Sequence, residues 1–533
     1  MACVAPERTR TGPRPAAGAR GRVAGRFAAP LLLLSLATLI AVGRPSAHAE
    51  PLAVTRGDAR ARLGGALTGW HVFRLDPDTP SERPSSTLDL RLDVEKGDWL
   101  RFVARGLTGF DGKVGDPDRS DPFRSLERIY QNEDLFLELD EAYLELHFRN
   151  VELGLGKQKV SWGQLDEIQP TDHVNPEDLT EFVFVPELER KIGVPALRLA
   201  GYTGPWTAEM VWTPLWVAYR FPAPEDRWFP PLLKVPERVA TDFGPVPVRT
   251  RYPDVDVPPH TLASSDIALR VRRFLAGAEL TATLFHGWDK NPTFSARGTA
   301  TLVPTGDPQA PVVPSIDAEI FPTLHRITVV GTDLAVPIWL LALRAEAAWI
   351  HGRAFFLLIR DQVGRDPRVN AAVGAAAARV AASGRAETVV LPLPATELER
   401  DALQYGIGVD YFVPDGLSRR VSGGSRLTGA FVLLQLIETV IFDHDAPFIA
   451  DQVEHLLGLT LRQSFRDQRL QAELKLGYNP GHGDFFVWPR LGYTFAPNWQ
   501  ALFEARVLGG DREQTIGQYR EHDGIFIGLR RFL

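Results

Sequence analysis

The chain has 533 residues, 44% hydrophobic, 23% charged and 10% aromatic, with a formal net charge of −7. Its only cysteine is Cys3, which excludes a disulfide scaffold and a thiolate nucleophile or ligand. The acid excess argues against nucleic acid or an anionic membrane surface as partner.

Residues 1–49 read as a cleaved secretory signal peptide. Met1–Arg26 is Arg-rich, Ala28–Gly43 is apolar, and Ala47–Ala49 forms an A-x-A cleavage site before Glu50. The apolar run carries Pro30 and falls short of the roughly 20 residues a membrane helix needs. Removing this leader takes away seven Arg and one Glu, leaving 52 basic against 65 acidic residues and a net charge of −13. The closest later approach to a membrane helix, Gly429–Phe442, is interrupted by Gln435 and Glu438.

Residues 50–533 alternate. Leu88, Leu90, Leu92 and Val94 oppose Asp89, Arg91 and Asp93. Ala142, Leu144, Leu146 and Phe148 oppose Tyr143, Glu145 and His147. Trp339, Leu341, Leu343, Ala345, Ala347 and Trp349 oppose Arg344 and Glu346. Leu470, Ala472, Leu474 and Leu476 oppose Arg469, Gln471, Glu473 and Lys475. This period of two predicts strands with one apolar and one polar face. Short turns are expected at Glu95–Asp98, Arg149–Asn150, Gly204–Pro205, Ala276–Gly277, Val336–Pro337, Arg466–Asp467 and Pro497–Asn498. Long polar segments separate them at 111–134, 161–194, 214–263, 288–322 and 351–403. Loops sorted short to one side and long to the other mark an outer-membrane barrel rather than a sandwich.

The expected fold is therefore all-β: a transmembrane antiparallel up-and-down β-barrel of about 18 strands, within a range of 16–18. The first strand lies near Ala61–Arg74 and the last near Gly524–Leu533. Trp99, Trp206, Trp339 and Trp499 follow short turns, and Trp70, Trp212, Trp288 and Trp349 fall near the opposite strand ends, as two aromatic girdles would. Trp206 and Trp212 are close together and call for a short strand. Loops 214–263 and 351–403 are expected outside. The first is Pro-rich and is read as forming neither helix nor ladder, whereas the Ala-rich 368–385 is helix-compatible, over or inside the mouth.

The polar parity supplies lumen-lining candidates: Arg101, Arg105, Glu145, His147, Arg270, Arg272, Arg344, Glu346, Glu473, Lys475, Glu504 and Arg506. Their mixed signs are those of cross-strand ion pairs. Ser161–Pro195 breaks the alternation and carries Pro170, Pro176, Pro186 and Pro195. It holds acids together with apolar Ile168, Val174, Phe182 and Phe184, a mixture that is stable packed inside the wall and not free outside it. One long loop folded into the lumen is thus expected, with Lys157, Gln158, Trp162, Asp166, Glu167, Asp172, His173, Asn175 and Asp178 as constriction candidates and Arg105, Arg270 and Arg344 as partners for its acids. Lys157 and Lys159 share the lipid-facing parity and need either the headgroup level or a bulge.

Other chemistry is weakly signalled. Ser161 and His173 could pair as nucleophile and base, but no G-x-S-x-G accompanies them. Asp111–Asp121 has acids for Ca²⁺ without the Gly and terminal Glu of an EF-hand loop. "GLGKQK" and "GIGVDY" lack a third Gly and a following helix, and read as strand glycines. No cofactor, metal or catalytic residue is expected.

The stretches "GLGKQKVSWGQLDEIQPTDHVNPEDL", "PALRLAGYTGPWTAEMVWTPLWVAYRFP", "HRITVVGTDLAVPIWLLALRAEAAWI" and "YNPGHGDFFVWPRLGYTF" resemble a family of proteobacterial outer-membrane barrels, catalogued as domain of unknown function 1302 and distantly related to alginate-export barrels. The resemblance implies a barrel with a transport role and supplies no catalytic residues. Such barrels usually end in an aromatic residue, whereas this chain ends Arg531-Phe532-Leu533. The expected function is an outer-membrane channel passing or taking up a small molecule or polymer. The alternatives are a non-conducting adhesin or scaffold and, third, a lipid hydrolase. Expected partners are outer-membrane lipid and lipopolysaccharide, the barrel-assembly machinery and the transported solute.

Overall fold

In the computed structural model, the described residues are 52–533 apart from 76–84, 112–127, 133–134, 218, 223–225, 242–243, 253–257, 260, 291–292, 307–311, 358–365, 415–426 and 466–467. Beyond Asp111, the acidic stretch to Asp121 lies outside them, as does the leader.

Eighteen antiparallel strands form a closed ring. They are β1 Ala59–Arg74, β2 Ser85–Lys96, β3 Leu100–Asp111, β4 Leu135–Phe148, β5 Val151–Gln158 and β6 Val194–Thr203. Next come β7 Trp206–Thr213, β8 Asp266–Leu275, β9 Ala278–Trp288, β10 Arg326–Ile338, β11 Leu341–Phe356 and β12 Glu397–Phe412. The ring ends with β13 Leu427–Ile441, β14 Val453–Phe465, β15 Leu470–Tyr478, β16 Phe485–Ala496, β17 Trp499–Gly509 and β18 Gly524–Phe532. β18 closes on β1 with Trp70 opposite Gly528 and Ala66 opposite Phe532. Beyond Ala66, Leu52–Arg56 folds back to pair with Ala59–Leu63, covering an edge that would otherwise offer unpaired backbone groups.

The alternation builds the wall. On β9, Thr281, Thr283 and Phe285 are buried inside while Leu280 and Leu284 are exposed outside. Leu269, Val330, Ile407, Leu434, Leu491 and Ile527 extend this exposed apolar belt around the ring. Such a face is stable against hydrocarbon, and the closed ladder leaves no edge in it.

Several expectations need correction. The turn placed at Val336–Pro337 lies three residues on, where Trp339 adopts φ +59° and is 98% exposed. Pro337 stays in β10 opposite Ala342, and pairing with β9 stops at Ala335, so its missing N–H costs no ladder bond there. Trp70 is not a girdle residue. It lies over Gly528 on the same face as lumenal Phe526 and Arg530, and a Cβ at Gly528 would meet its ring at 2.6 Å. Trp206 and Trp212 do share a short strand, the eight-residue β7. On the short-turn side, β12 ends at Phe412 and β13 does not begin until Leu427.

The Pro-rich 214–263 does form a ladder. Gly244–Arg251 joins a five-stranded sheet outside the ring, with Arg238–Thr241, Thr293–Pro304, Val312–Thr323 and Glu387–Leu391. Its two prolines, Pro245 and Pro247, face the four-residue edge strand, while Val248–Arg251 pairs in parallel with Ile316–Glu319. Gly244–Pro247 thus pairs on one side only, where proline is tolerated. The Ala-rich segment is a helix, Pro367–Ser383, capped by Asp366 and ended by Gly384 at φ +63°. It packs Val369, Val373 and Val380 on Leu302 and Leu391 of this outer sheet.

Candidate functional site

After Gln158 the chain leaves the wall and crosses the lumen until Val194. The neck of this segment is stapled by Asn175. Its Oδ1 accepts from the Val160 N–H at 2.8 Å, and its amide donates to Ile192 O at 2.7 Å and Gln158 O at 3.3 Å. Asp172 accepts from the Trp162 N–H at 2.8 Å and from Lys191 Nζ at 2.6 Å. A one-turn helix, Glu187–Arg190, holds Glu187 2.5 Å from Lys191.

The tip of the segment docks on the far wall. Glu346 of β11, 3% exposed, accepts from the N–H of Gln164, from that of Leu165 at 2.5 Å, and from Thr171 N at 3.3 Å and Oγ1 at 3.0 Å. Arg344 donates to the Gln164 carbonyl, to Asp166 at 3.2 Å and to Asp410 at 2.5 Å. Gln435 of β13 brackets Asp166, donating to its carbonyl at 2.9 Å and accepting from its N–H at 3.3 Å. Glu167 pairs with Lys475 of β15, and Glu181 with Arg506 of β17 at 2.6 Å. Apolar packing supports these bonds: Trp162, Val174 and Ile192 pack on Val211, Phe285, Val329 and Ile350 of the inner wall. Phe184 sits 5.1 Å from the Trp228 ring and 5.5 Å from that of Trp488.

The wall makes room for this packing with glycine. A Cβ at Gly406 or Gly408 would meet Leu165 at 2.6 or 3.0 Å, and one at Gly331 would meet Thr171 at 2.8 Å. Part of 214–263 also turns inward: Val217 packs in the cluster of Trp162, Val211 and Phe285, and Trp228 in that of Phe184 and Trp488. Arg220 N donates to Glu177 O at 3.0 Å, and Leu179 N to Arg220 O at 2.8 Å, zipping the two segments together. Arg220 also pairs with Asp178 at 2.8 Å.

Below the crossing segment lies a chain of alternating charges. Asp93 meets Arg101 at 2.7 Å, and Arg101 meets Glu145 at 3.3 Å. Glu145 meets Arg198 at 4.0 Å, Arg198 meets Glu209 at 2.6 Å, and Glu209 meets Arg270 at 2.7 Å. His147 lies 3.7 Å from Glu152, and Arg272 lies 3.4 Å from Glu279. Glu473 joins Arg462 at 2.8 Å and Arg490 at 3.6 Å, and Glu504 joins Arg506 at 2.7 Å.

Of the three arginines expected to meet the segment's acids, only Arg344 does so. Arg105 is held by wall acids, Asp89 at 2.7 Å and Asp140 at 2.9 Å. Arg270 is held by Glu209 and lies over the Trp162 ring at 5.0 Å. A bulge accounts for the lysines. β4 slips register between its pairings with Arg105 and Gly106, placing both Asp140 and Glu141 inside. Lys159 reaches Asp140 at 2.8 Å, and Lys157 Nζ donates to Leu139 O at 2.5 Å. Gln158 donates to Ala196 O at 3.1 Å. Ser161 Oγ accepts from Lys191 at 3.1 Å, and His173 Nε2 lies 2.9 Å from Pro170 O with its ring on Phe285. The two are engaged elsewhere and not with each other.

Burial, with Arg353 adding to it, pushes His173 down to about 4. Burial raises the Glu187 carboxyl. It also opposes the Lys191 charge, but Asp172 and Glu187 more than offset this and lift the ammonium. Among the described residues, the arrangement stores charge in pairs.

The sequence reading missed the roles of Lys191 on Asp172, Asp410 on Arg344 and Gln435 on Asp166, and it placed Gly406 and Gly408 in a strand without seeing that they make room for Leu165. Gly406 and Gly408 carried a signal, being two glycines on one strand face where bulky side chains would be expected.

No catalogued protein family matches the chain, nor does any curated protein. Among solved structures, OccAB1 of Acinetobacter baumannii is 9% identical with a TM-score of 0.42, covering 89% of this chain and 96% of that one. Salmonella typhi OmpF in complex with daunomycin is 8% identical with a TM-score of 0.38, covering 90% and 100%. A mutant of Rh. blastica porin is 9% identical with a TM-score of 0.34, covering 89% and 100%. The 18-strand ring rests on this chain's own ladders.

Proposed function

We propose that this chain is an outer-membrane channel, with residues 159–193 forming the constriction, that passes or takes up a small molecule or polymer. One contrast carries the reading. The basic side chains of the lumen below the crossing segment stay partly wet: Arg101, Arg490 and Arg198 are 33%, 31% and 25% exposed. The basic wall residues bound to the segment's acids are drier, with Arg344 at 14%, Lys475 at 7% and Arg506 at 6%. A closed ring around hydrated charges is an aqueous path, and the docked segment narrows it. The outer belt would face outer-membrane lipid and lipopolysaccharide, after export on the leader and insertion by the barrel-assembly machinery. The family resemblance of the sequence points the same way.

Purified protein added to planar bilayers should give discrete conductance steps. Absence of any step, with correctly folded protein, would favour the non-conducting adhesin or scaffold.

A further inference from the structure

The outer sheet bounds a cavity of about 140 Å³. Leu233 and Val235 line it from 214–263, Phe294 and Ile320 from the outer hairpin, and Phe356 from the top of β11. It adjoins the cluster of Tyr219, Phe294 and Ile320. A cavity of roughly 150 Å³ lined by such side chains stays dry and accepts a benzene-sized guest.

Three lining residues carry polar groups: Lys234, which is exposed, Ser295 and Thr396. Among the described residues, the buried Thr396 hydroxyl has no hydrogen-bond partner. Ser295 also lines the cavity, but its hydroxyl is committed to Glu397 at 3.3 Å. Thr396 is fixed in place, its carbonyl accepting from the Leu357 N–H at 2.8 Å. A buried, unpaired hydroxyl is costly unless something pairs with it. Water is a poor answer in a site that offers so few polar contacts.

We propose that this cavity binds a small, mostly apolar organic molecule, one ring or about six to eight carbons in size, whose single hydroxyl or carbonyl pairs with Thr396 Oγ1. The site lies in the outer cap, apart from residues 159–193. Binding here and conduction through the barrel can therefore fail separately.

The test uses the mature protein in lipid nanodiscs, titrated calorimetrically with p-cresol and with toluene, with empty nanodiscs as the baseline. Both should bind with a Kd on the order of 0.1–1 mM, as ligands of this size allow. Ala318→Phe, which fills the cavity from its lining, should abolish binding of both. Thr396→Val keeps the shape and should weaken p-cresol about tenfold while leaving toluene unchanged. If Ala318→Phe does not fold, the Thr396→Val comparison decides alone. Heat no greater than that of empty nanodiscs, or equal effects of Thr396→Val on the two probes, would overturn the proposal.

Discussion

The carboxylate of Glu346, on the barrel wall, accepts a hydrogen bond from the hydroxyl of Thr171, in the segment crossing the lumen, at 3.0 Å. Its other oxygen takes the N–H groups of Gln164 and Leu165. Glu346→Gln turns one acceptor into a donor that faces donors. The expected cost is about 1–3 kcal/mol in the docking of the segment, with the barrel intact. Hydrogen exchange at Leu165 and Thr171 should quicken about tenfold or more, while wall amides keep their protection. Unchanged exchange at both residues would show that Glu346 does not hold the segment.

The neighbouring residue tests the wall parity. Ala345 pairs with Leu334 and with Ile407, which is 52% exposed in the apolar belt. Ala345→Arg should cost about 2–4 kcal/mol if it lies near the midplane, and should lower the refolding yield in bilayers far more than Glu346→Gln does. Equal yields would mean that the two residues do not face opposite sides.

Acid should loosen the segment through His173. Its folded value of about 4 lies below the ordinary 6.5, so the undocked state binds the proton first. The stabilisation from keeping His173 neutral is complete above pH 6.5 and is lost as pH falls towards 4, by about 3 kcal/mol in all. Glu187, raised by burial, works in the opposite sense. The His173→Asn variant separates the two. Relative to the intrinsic exchange rate at each pH, exchange of residues 160–192 should rise between pH 6.5 and 4 in the wild type, and this rise should vanish in the variant. A rise of equal size in both would remove His173 from the account.

Gly406 offers a steric test. A side chain there would meet Leu165 at 2.6 Å and the Leu436 carbonyl at 2.9 Å. Gly406→Val should undock the tip by about 1–3 kcal/mol and make single-channel current noisier, with the barrel still folded. A current as quiet as that of the wild type would show that Leu165 has another resting place.

Much of this was readable because a barrel wall writes its faces at a period of two: Leu280 and Thr281 declare opposite sides without any knowledge of neighbours. The in-folded segment was readable from its mixture of acids with Val174 and Phe184. Pairing was not. Arg105 meets Asp89, and Arg270 meets Glu209, through cross-strand register that no local pattern encodes. Pro337 misled because a proline normally ends a strand, and here the ladder to β9 had already ended. Trp70 misled because an aromatic near a strand end usually marks the interface, whereas Gly528 opposite left it space inside. The outer sheet was hidden by Pro245 and Pro247, whose one-sided pairing only the folded partner strands reveal.

The central claim is that residues 159–193 set the width of an aqueous path. Single-channel recording of a protein lacking Asp166–Glu181 measures this directly. That deletion removes the residues bound to Gln435, Lys475 and Arg506 and leaves every wall strand in place. Conductance should rise severalfold while the barrel still folds and inserts. A folded deletion protein whose conductance equals that of the wild type would contradict the claim and place the constriction elsewhere.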